Sequence, residues 1–232
     1  MSNILCIESS TKLCSVALVQ GEKVRLKELK DLSKYIHQET LHVFADNVLS
    51  EAELKYSDLD AIAVGIGPGS YTGLRIGVSA AKGFAYALGI PVMAIPTLFH
   101  MAIGLQKKYG NFKYYIPMID ARRMEVYTAT FDQQISKNTE VQALEVRGDS
   151  FEAVKHEAIF FGDGAEKTAD ILSLEVSDQP KTGAILTGFE ASAMGLAETA
   201  KQWYKNQHFA DLAYFEPYYY KDFIAGKPKT LF

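Results

Sequence analysis

Seven residues, Gly67-Pro68-Gly69-Ser70-Tyr71-Thr72-Gly73, constrain the fold more than any other segment of this chain. They follow an apolar run at 60–66 (DAIAVGI). They precede an apolar period made by Leu74, Val78, Ala81, Ala85 and Leu88. Pro68 lacks a backbone donor, and the glycines on either side weaken any regular element. The stretch therefore reads as strand, tight crossover, helix, with Gly89 placed to stop the helix. Strand–helix units of this kind build sheets with parallel strands covered by helices.

The neighbouring segments extend that unit. Residues 4–8 (ILCIE), 14–20 (CSVALVQ) and 23–30 predict three strands joined by tight turns at 9–12 and 20–22. Leu41, Phe44, Ala45, Val48 and Leu49 predict an amphipathic helix over about 35–54. Residues 91–95 (PVMAI) predict a strand, and Pro96-Thr97 opens a helix to about Tyr109. The order is βββαβαβα, an α/β arrangement with a mixed sheet.

The pattern then restarts. Strands are expected at 115–119, ending in Asp120, at 124–131, and more loosely at 141–146. A helix at 150–155, a strand at 158–161, a turn at 162–164 and a helix at 165–172 follow. Residues 185–188 are too short to assign. Residues 189–204 predict a helix with Ala193, Leu196, Ala197, Ala200 and Trp203 on one face. Two βββαβαβα halves, the second degenerate, describe the actin-like architecture. We divide the chain into 1–100, 101–212 and an aromatic tail, 213–232.

Composition narrows the function. Apolar residues are 48% and charged residues 22%, enough apolar surface to offset chain entropy. The net charge of −4 argues against autonomous nucleic-acid binding. No apolar run approaches the ~20 residues of a membrane span. Residues 1–11 lack a basic segment and meet Glu8 early, unlike a signal peptide. With only Cys6 and Cys14, no disulfide framework is expected, and a reduced, cytoplasmic protein is the default.

Several residues are candidates for chemistry. The glycine turn is either a phosphate cradle at a helix N-terminus or only a tight crossover. Its glycines fit neither the dinucleotide fingerprint nor the Walker pattern. Arg75 faces the positive end of its own helix, so an acidic partner, solvent or an internal partner must account for it. Gly73, Gly77, Ala80, Ala81, Gly83, Ala85 and Ala87 mark a helix that another backbone approaches closely, from this chain, another subunit or both. Glu8, with Ser9, Ser10 and Thr11, and Asp120, with Arg122, stand at two strand ends where an actin-like protein holds Mg-nucleotide. Both cradles are imperfect: Glu8 is one methylene longer than aspartate, and bulky arginines follow Asp120.

His37 and His42 are five apart and do not share a helix face; His100, His156 and His208 are isolated. All are expected to be surface histidines, with no metal. Cys6 and Cys14 are expected to be inert core thiols. Tyr214, Tyr218, Tyr219 and Tyr220 suit either stacked bases or packing of the tail on the body. Packing is favoured because Glu216 and Asp222 dilute the charge.

Three blocks carry a resemblance: Ile7-Glu8-Ser9-Ser10-Thr11 with Cys14-Ser15-Val16-Ala17-Leu18; Gly67 through Gly77 (GPGSYTGLRIG); and Ile119-Asp120-Ala121-Arg122-Arg123-Met124-Glu125-Val126-Tyr127. Together they resemble the bacterial TsaB (YeaZ) family, strongly over about residues 3–130. The resemblance implies the actin-like ATPase (ASKHA, ribonuclease H-like) fold with degenerate catalysis. It implies a noncatalytic scaffold in the making of N6-threonylcarbamoyladenosine, beside the anticodon of tRNAs that read codons starting with A. The partners implied are a TsaD-like catalytic subunit, which carries the metal-binding histidines, and a TsaE-like ATPase, with tRNA reached indirectly. A homodimer is also open. No cofactor is expected, ATP or ADP being possible only at a complex interface. The family's contact surface maps onto the helices near 35–54 and 73–88, giving Leu41, Phe44, Val48, Gly73, Arg75, Gly77, Ala80 and Lys82 as interface candidates. Glu8 departs from the aspartate of many relatives. The alternatives are a stand-alone ATPase or phosphotransferase and a metallopeptidase, for which no zinc ligands are present.

Overall fold

The computed structural model describes residues 2–30 and 37–221. The chain opens as an antiparallel meander of β1 (Asn3–Glu8), β2 (Leu13–Gln20) and β3 (Lys23–Lys30), with Cys6 opposite Ala17 and Ala17 opposite Leu26. Helix α1 (His37–Ser50) leads to β4 (Ala61–Gly65), parallel to β1 with Ile7 beside Val64. Helix α2 (Tyr71–Leu88), β5 (Val92–Ile95) and α3 (Thr97–Tyr109) complete the first half, whose sheet order is β3-β2-β1-β4-β5.

The second half contains β6 (Tyr114–Asp120), β7 (Glu125–Thr128), β8 (Phe131–Asp132), β9 (Gln142–Glu145) and β10 (Ala158–Phe161). It ends with α4 (Ala169–Leu172), β11 (Glu175–Ser177), β12 (Ala184–Leu186) and α5 (Ala193–Lys205). Its sheet order is β11-β12-β10-β6-β7-β9. Without β11, that is the first order repeated: β9-β7-β6-β10-β12 against β3-β2-β1-β4-β5. This duplicated mixed sheet is the actin-like fold. The degeneracy lies in the helices. The 14 residues of α1 have only turns and a 3-10 turn, Lys155–Glu157, as counterpart. The 18 residues of α2 are matched by the 3-10 turn Glu166–Thr168 and the four residues of α4.

Strand alternation explains how the first sheet is covered. Leu5, Ile7, Val16, Leu18, Ile62 and Val64 point to one face, under Leu41, Ala45 and Val48 of α1 and Val78, Ala81 and Ala85 of α2. Ile4, Cys6, Ala17, Val19, Ala61 and Ala63 point to the other, under Ala193, Leu196, Ala197 and Ala200 of α5. The last helix of the chain thus packs on the first sheet.

Several elements differ from the sequence expectation. Helix α2 starts at Tyr71 rather than Leu74, because the Ser70 hydroxyl accepts from the Gly73 N–H and caps it. Of the helix expected over 35–54, residues 35 and 36 lie outside the described residues, and 51–54 form turns closed by the Leu54 N–H on the Leu49 carbonyl. No helix forms over 150–155. Phe151 takes a left-handed φ of 66°, and six residues are too few to nucleate one against that break. The strand expected over 124–131 divides after Thr128, which lets Phe131 pair with Tyr115 and enter the core. Residues 184–186 form a buried strand between two glycines of positive φ. Helix α5 begins only at Ala193: Ser192 caps it, while Phe189 packs edge-on against Phe161 at 5.4 Å.

The described part of the tail, to residue 221, is bound to the body, as favoured. Just ahead of it the Ala210 N–H donates to the Val92 carbonyl at 2.8 Å, and within it the Tyr218 N–H donates to the Ile66 carbonyl at 2.8 Å. Lys221 Nζ donates to the Ala121 carbonyl at 3.0 Å. The tail therefore ties the crossover after β4 to the turn after β6. Among the described residues no helix is long and apolar enough to cross a membrane.

Candidate functional site

Strand β1 ends at Glu8, whose side chain is fully buried. Its Oε2 lies 2.5 Å from His100 Nε2, and its Oε1 accepts from the Ser10 N–H at 2.7 Å. Burial alone pushes this carboxyl upward. The His100 hydrogen bond and charge, with the bonds from Ser10, outweigh it and hold the group below the usual carboxylate range. His100 lies in the first turns of α3 and is fully buried, not the isolated surface histidine expected. Thr97, in the preceding turn, joins α3 to the crossover: its hydroxyl accepts from the Gly67 N–H at 3.0 Å.

Ser9, Ser10 and Thr11 follow inside the same packed turn. The Ser9 hydroxyl donates to the Gly73 carbonyl at 2.9 Å, and the Ser10 carbonyl accepts from the Ser70 N–H at 2.6 Å. Thr11 is buried, its Oγ1 accepting from the Leu13 N–H at 3.3 Å. This explains the glycines. A Cβ on Gly65 would collide with the Glu8 carboxylate, one on Gly69 with the Ser10 backbone, and one on Gly77 with the Ser9 hydroxyl. Of the two readings of the turn, the geometry supports the tight crossover.

The second strand end repeats the plan at the surface. Asp120 closes β6 and pairs with Lys167; its Oδ1 accepts from the Arg122 N–H at 3.0 Å. Lys167 also donates to the carbonyls of Arg123 at 2.8 Å and Glu125 at 2.7 Å. Gly162 and Gly164 press against the Met118 carbonyl and the Asp120 N–H, as Gly65 and Gly69 do against β1 and its turn. Arg122 and Arg123 are exposed and left-handed, with φ of 68° and 52°.

These residues do not fit a Mg-nucleotide. Both Glu8 oxygens are held by the chain's own groups, away from solvent. Asp120 is neutralised by Lys167 and committed to its own turn. A cavity of about 520 Å³ lies between the meander, α3 and the start of α5, with Leu13, Glu28, Met101, Phe189 and Met194 among its walls. Glu28 there accepts from the Ser192 hydroxyl at 2.9 Å. Burial raises the thiols of Cys6 and Cys14, as expected for inert core cysteines.

The interface candidates separate. Leu41, Val48, Gly73 and Gly77 lie in the chain's own core, because α1 and α2 turn those positions toward the sheet. They correct the expectation of a surface. Phe44 and Ala80 are half-buried against the same core. Arg75 is exposed, its guanidinium 4.1 Å from the Tyr71 ring centre and hydrogen-bonded to Tyr219. It is thus paired internally with aromatics. Lys82 Nζ donates to the Ala213 carbonyl at 3.2 Å and lies over Phe215.

The outward side of the α1–α2 pair carries Val43, 52% exposed, Ser79, Gly83 and Tyr86, 82% exposed. A Cβ on Gly83 would meet nothing within 4 Å. Ser79, Gly83 and Tyr86 recur at the helical period opposite Leu74, Val78, Ala81 and Ala85. The signal for Ser79 and Tyr86 is in the sequence, in their spacing opposite the apolar period of the same helix.

Comparison with known proteins places this geometry. A family model described as TsaD, tRNA N6-adenosine threonylcarbamoyltransferase, matches residues 31–225. The tRNA threonylcarbamoyladenosine biosynthesis protein TsaB of Haemophilus influenzae is 36% identical over 125 residues, 53% of this chain and about half, 51%, of that one. The Escherichia coli protein of the same name is 28% identical over 233 residues, covering 97% of this chain and 96% of that one. The structure of YeaZ from Pseudomonas aeruginosa superposes with a TM-score of 0.79 at 26% identity, over 94% of this chain and 100% of that one. Together with the duplicated sheet, these matches show that the chain belongs to the family this model describes and, within it, to the TsaB (YeaZ) proteins.

Proposed function

We propose that this chain is a noncatalytic subunit in the synthesis of N6-threonylcarbamoyladenosine in tRNA, acting in the cytoplasm by binding and activating a TsaD-like catalytic subunit. The observation that carries this reading is the closure of Glu8 onto His100 and Ser10 inside the core. The carboxylate that would organise a metal-bound nucleotide in this fold serves the chain's own packing instead. Nucleotide, where present, belongs to the boundary with the partner, and a TsaE-like ATPase joins the same assembly.

Docking uses the outward side of α1 and α2. Gly83 lets a partner backbone approach without a Cβ in the way, Tyr86 offers apolar surface one turn further along α2, and Val43 offers more on α1. A second copy of the chain competes for the same side when the partner is absent.

The test mixes the purified chain with the transferase subunit of its own organism and follows size exclusion. A stable complex is expected, and cells lacking the chain should lose the modified nucleoside from their tRNA. Absence of a complex, with normal modification in such cells, overturns the reading. So does tight calorimetric binding of Mg-ATP with turnover by the lone chain, which belongs to the stand-alone ATPase alternative.

A further inference from the structure

The tail strap holds its backbone down and leaves its rings out. Tyr218 is anchored through its N–H to Ile66, and Lys221 through Nζ to the Ala121 carbonyl and the Glu125 carboxylate. Yet Tyr218, Tyr219 and Tyr220 remain 48%, 43% and 38% exposed. Tyr218 and Tyr220 meet edge to face, with centroids 6.4 Å apart and planes at 84°. Tyr219 leans on Tyr71 at 4.8 Å, and Tyr220 lies 6.5 Å from Tyr127. An open depression of about 370 Å³ runs along Glu216, Pro217 and the three tyrosines. Aromatic faces fixed in advance cost little further ordering when a planar group stacks on them.

Positive charge adjoins these rings. The Lys221 bond to Ala121 sets Tyr220 beside the turn that carries Arg122 and Arg123. Among the described residues neither guanidinium makes an ion pair, while the nearby acids Asp120 and Glu125 are paired with Lys167 and Lys221. Arg75, on the other flank, is stacked on Tyr71 rather than paired with a carboxylate. Glu216 is the acid in the depression itself. Arg122 and Arg123 also hold positive φ, a conformation costing roughly 1–2 kcal/mol at a non-glycine residue. Glycine would make that turn more cheaply, so the turn keeps its arginines at a cost in stability. Arginine forks fit phosphate oxygens, and exposed rings fit base faces.

We propose that Tyr218, Tyr219 and Tyr220 with Arg75, Arg122 and Arg123 form a direct contact surface for unpaired RNA. The RNA is the substrate of the complex, so the inference rests on the function proposed above. The chain's net charge of −4 restricts this to an auxiliary contact within the assembly.

The test uses the complex with the transferase subunit and a fluorescein-labelled, unmodified tRNA transcript, titrated by anisotropy at several salt concentrations. One variant is Arg122→Gly with Arg123→Gly, which removes both charges and relieves the left-handed strain, so folding is protected. The other is Tyr218→Leu with Tyr220→Leu, which keeps apolar bulk and removes the π faces. Size exclusion first establishes that each variant still forms the complex. The glycine variant should weaken tRNA binding about tenfold and flatten the log–log salt slope by roughly 1.5. The leucine variant should weaken binding about tenfold and leave the slope unchanged. Unchanged affinity and slope in intact variant complexes overturn the RNA surface alone. Loss of the complex by either variant also overturns it and assigns these residues to a protein partner. Failure of the unaltered chain to form a complex overturns the function proposed above and this surface with it.

Discussion

Glu8 and His100 lie 92 positions apart and meet in a fully buried hydrogen bond at the end of β1. Removing one member of such a pair strands the other in the core, at a cost of about 3–5 kcal/mol. Glu8→Gln should therefore lower stability at neutral pH by about 3 kcal/mol in urea unfolding. The pH dependence has a definite sign. The Glu8 carboxyl is depressed in the folded protein relative to its ordinary value of 4.5. Its contribution is complete above the unfolded value and drains away as pH falls through the folded one. The glutamine variant should lose less stability than the parent chain on going from about pH 6 to about pH 3. An equal acid loss in both would contradict the assignment. The role of Glu8 was only half legible in the sequence. Its place at a strand end marks it, but a lone histidine far along the chain carries no pattern that names its partner.

Helix α2 has two glycine positions with opposite meanings. Gly77 fits against Ser9, so Gly77→Leu should destabilise the lone chain by about 3 kcal/mol or more, seen as a fall in melting temperature. Gly83 faces open space, so Gly83→Leu should leave the lone chain's melting temperature unchanged or slightly raised while abolishing the complex in size exclusion. Equal melting losses in the two would refute the division of faces. Ser70→Ala removes the cap and should cost about 1 kcal/mol. The period of Leu74, Val78, Ala81 and Ala85 made α2 readable, since repeated apolar positions report a buried face. The same logic gave α1, β1, β2 and β4. It failed for β12, where three residues contain no period. The helix expected over 165–172 is present, as a 3-10 turn running into the four residues of α4.

Across the whole molecule, the halves share a pattern and are not assembled separately. The first sheet is roofed on one side by its own helices and on the other by α5. Beyond α5, Phe215 packs against the first core, and the strap reaches Ala121 in the second half. Phe215→Ala should lower the melting temperature by several degrees, on the scale of about 1–2 kcal/mol for a partly buried ring. No change would mean that the strap adds nothing to stability. This level of organisation was the least legible. The duplicated order of elements can be read from periodicity, but the return of the final helix to the first sheet depends on contacts between distant residues.

The placement of α5 also governs how the protein is made. While the ribosome is still extending the polypeptide short of residue 193, the Ile4, Cys6, Ala17, Ala61 and Met93 side of the opening sheet has no cover. Emergence of that last amphipathic segment seals it. A nascent polypeptide arrested before that point should be a preferred client of holdase chaperones, and one arrested well after it should not.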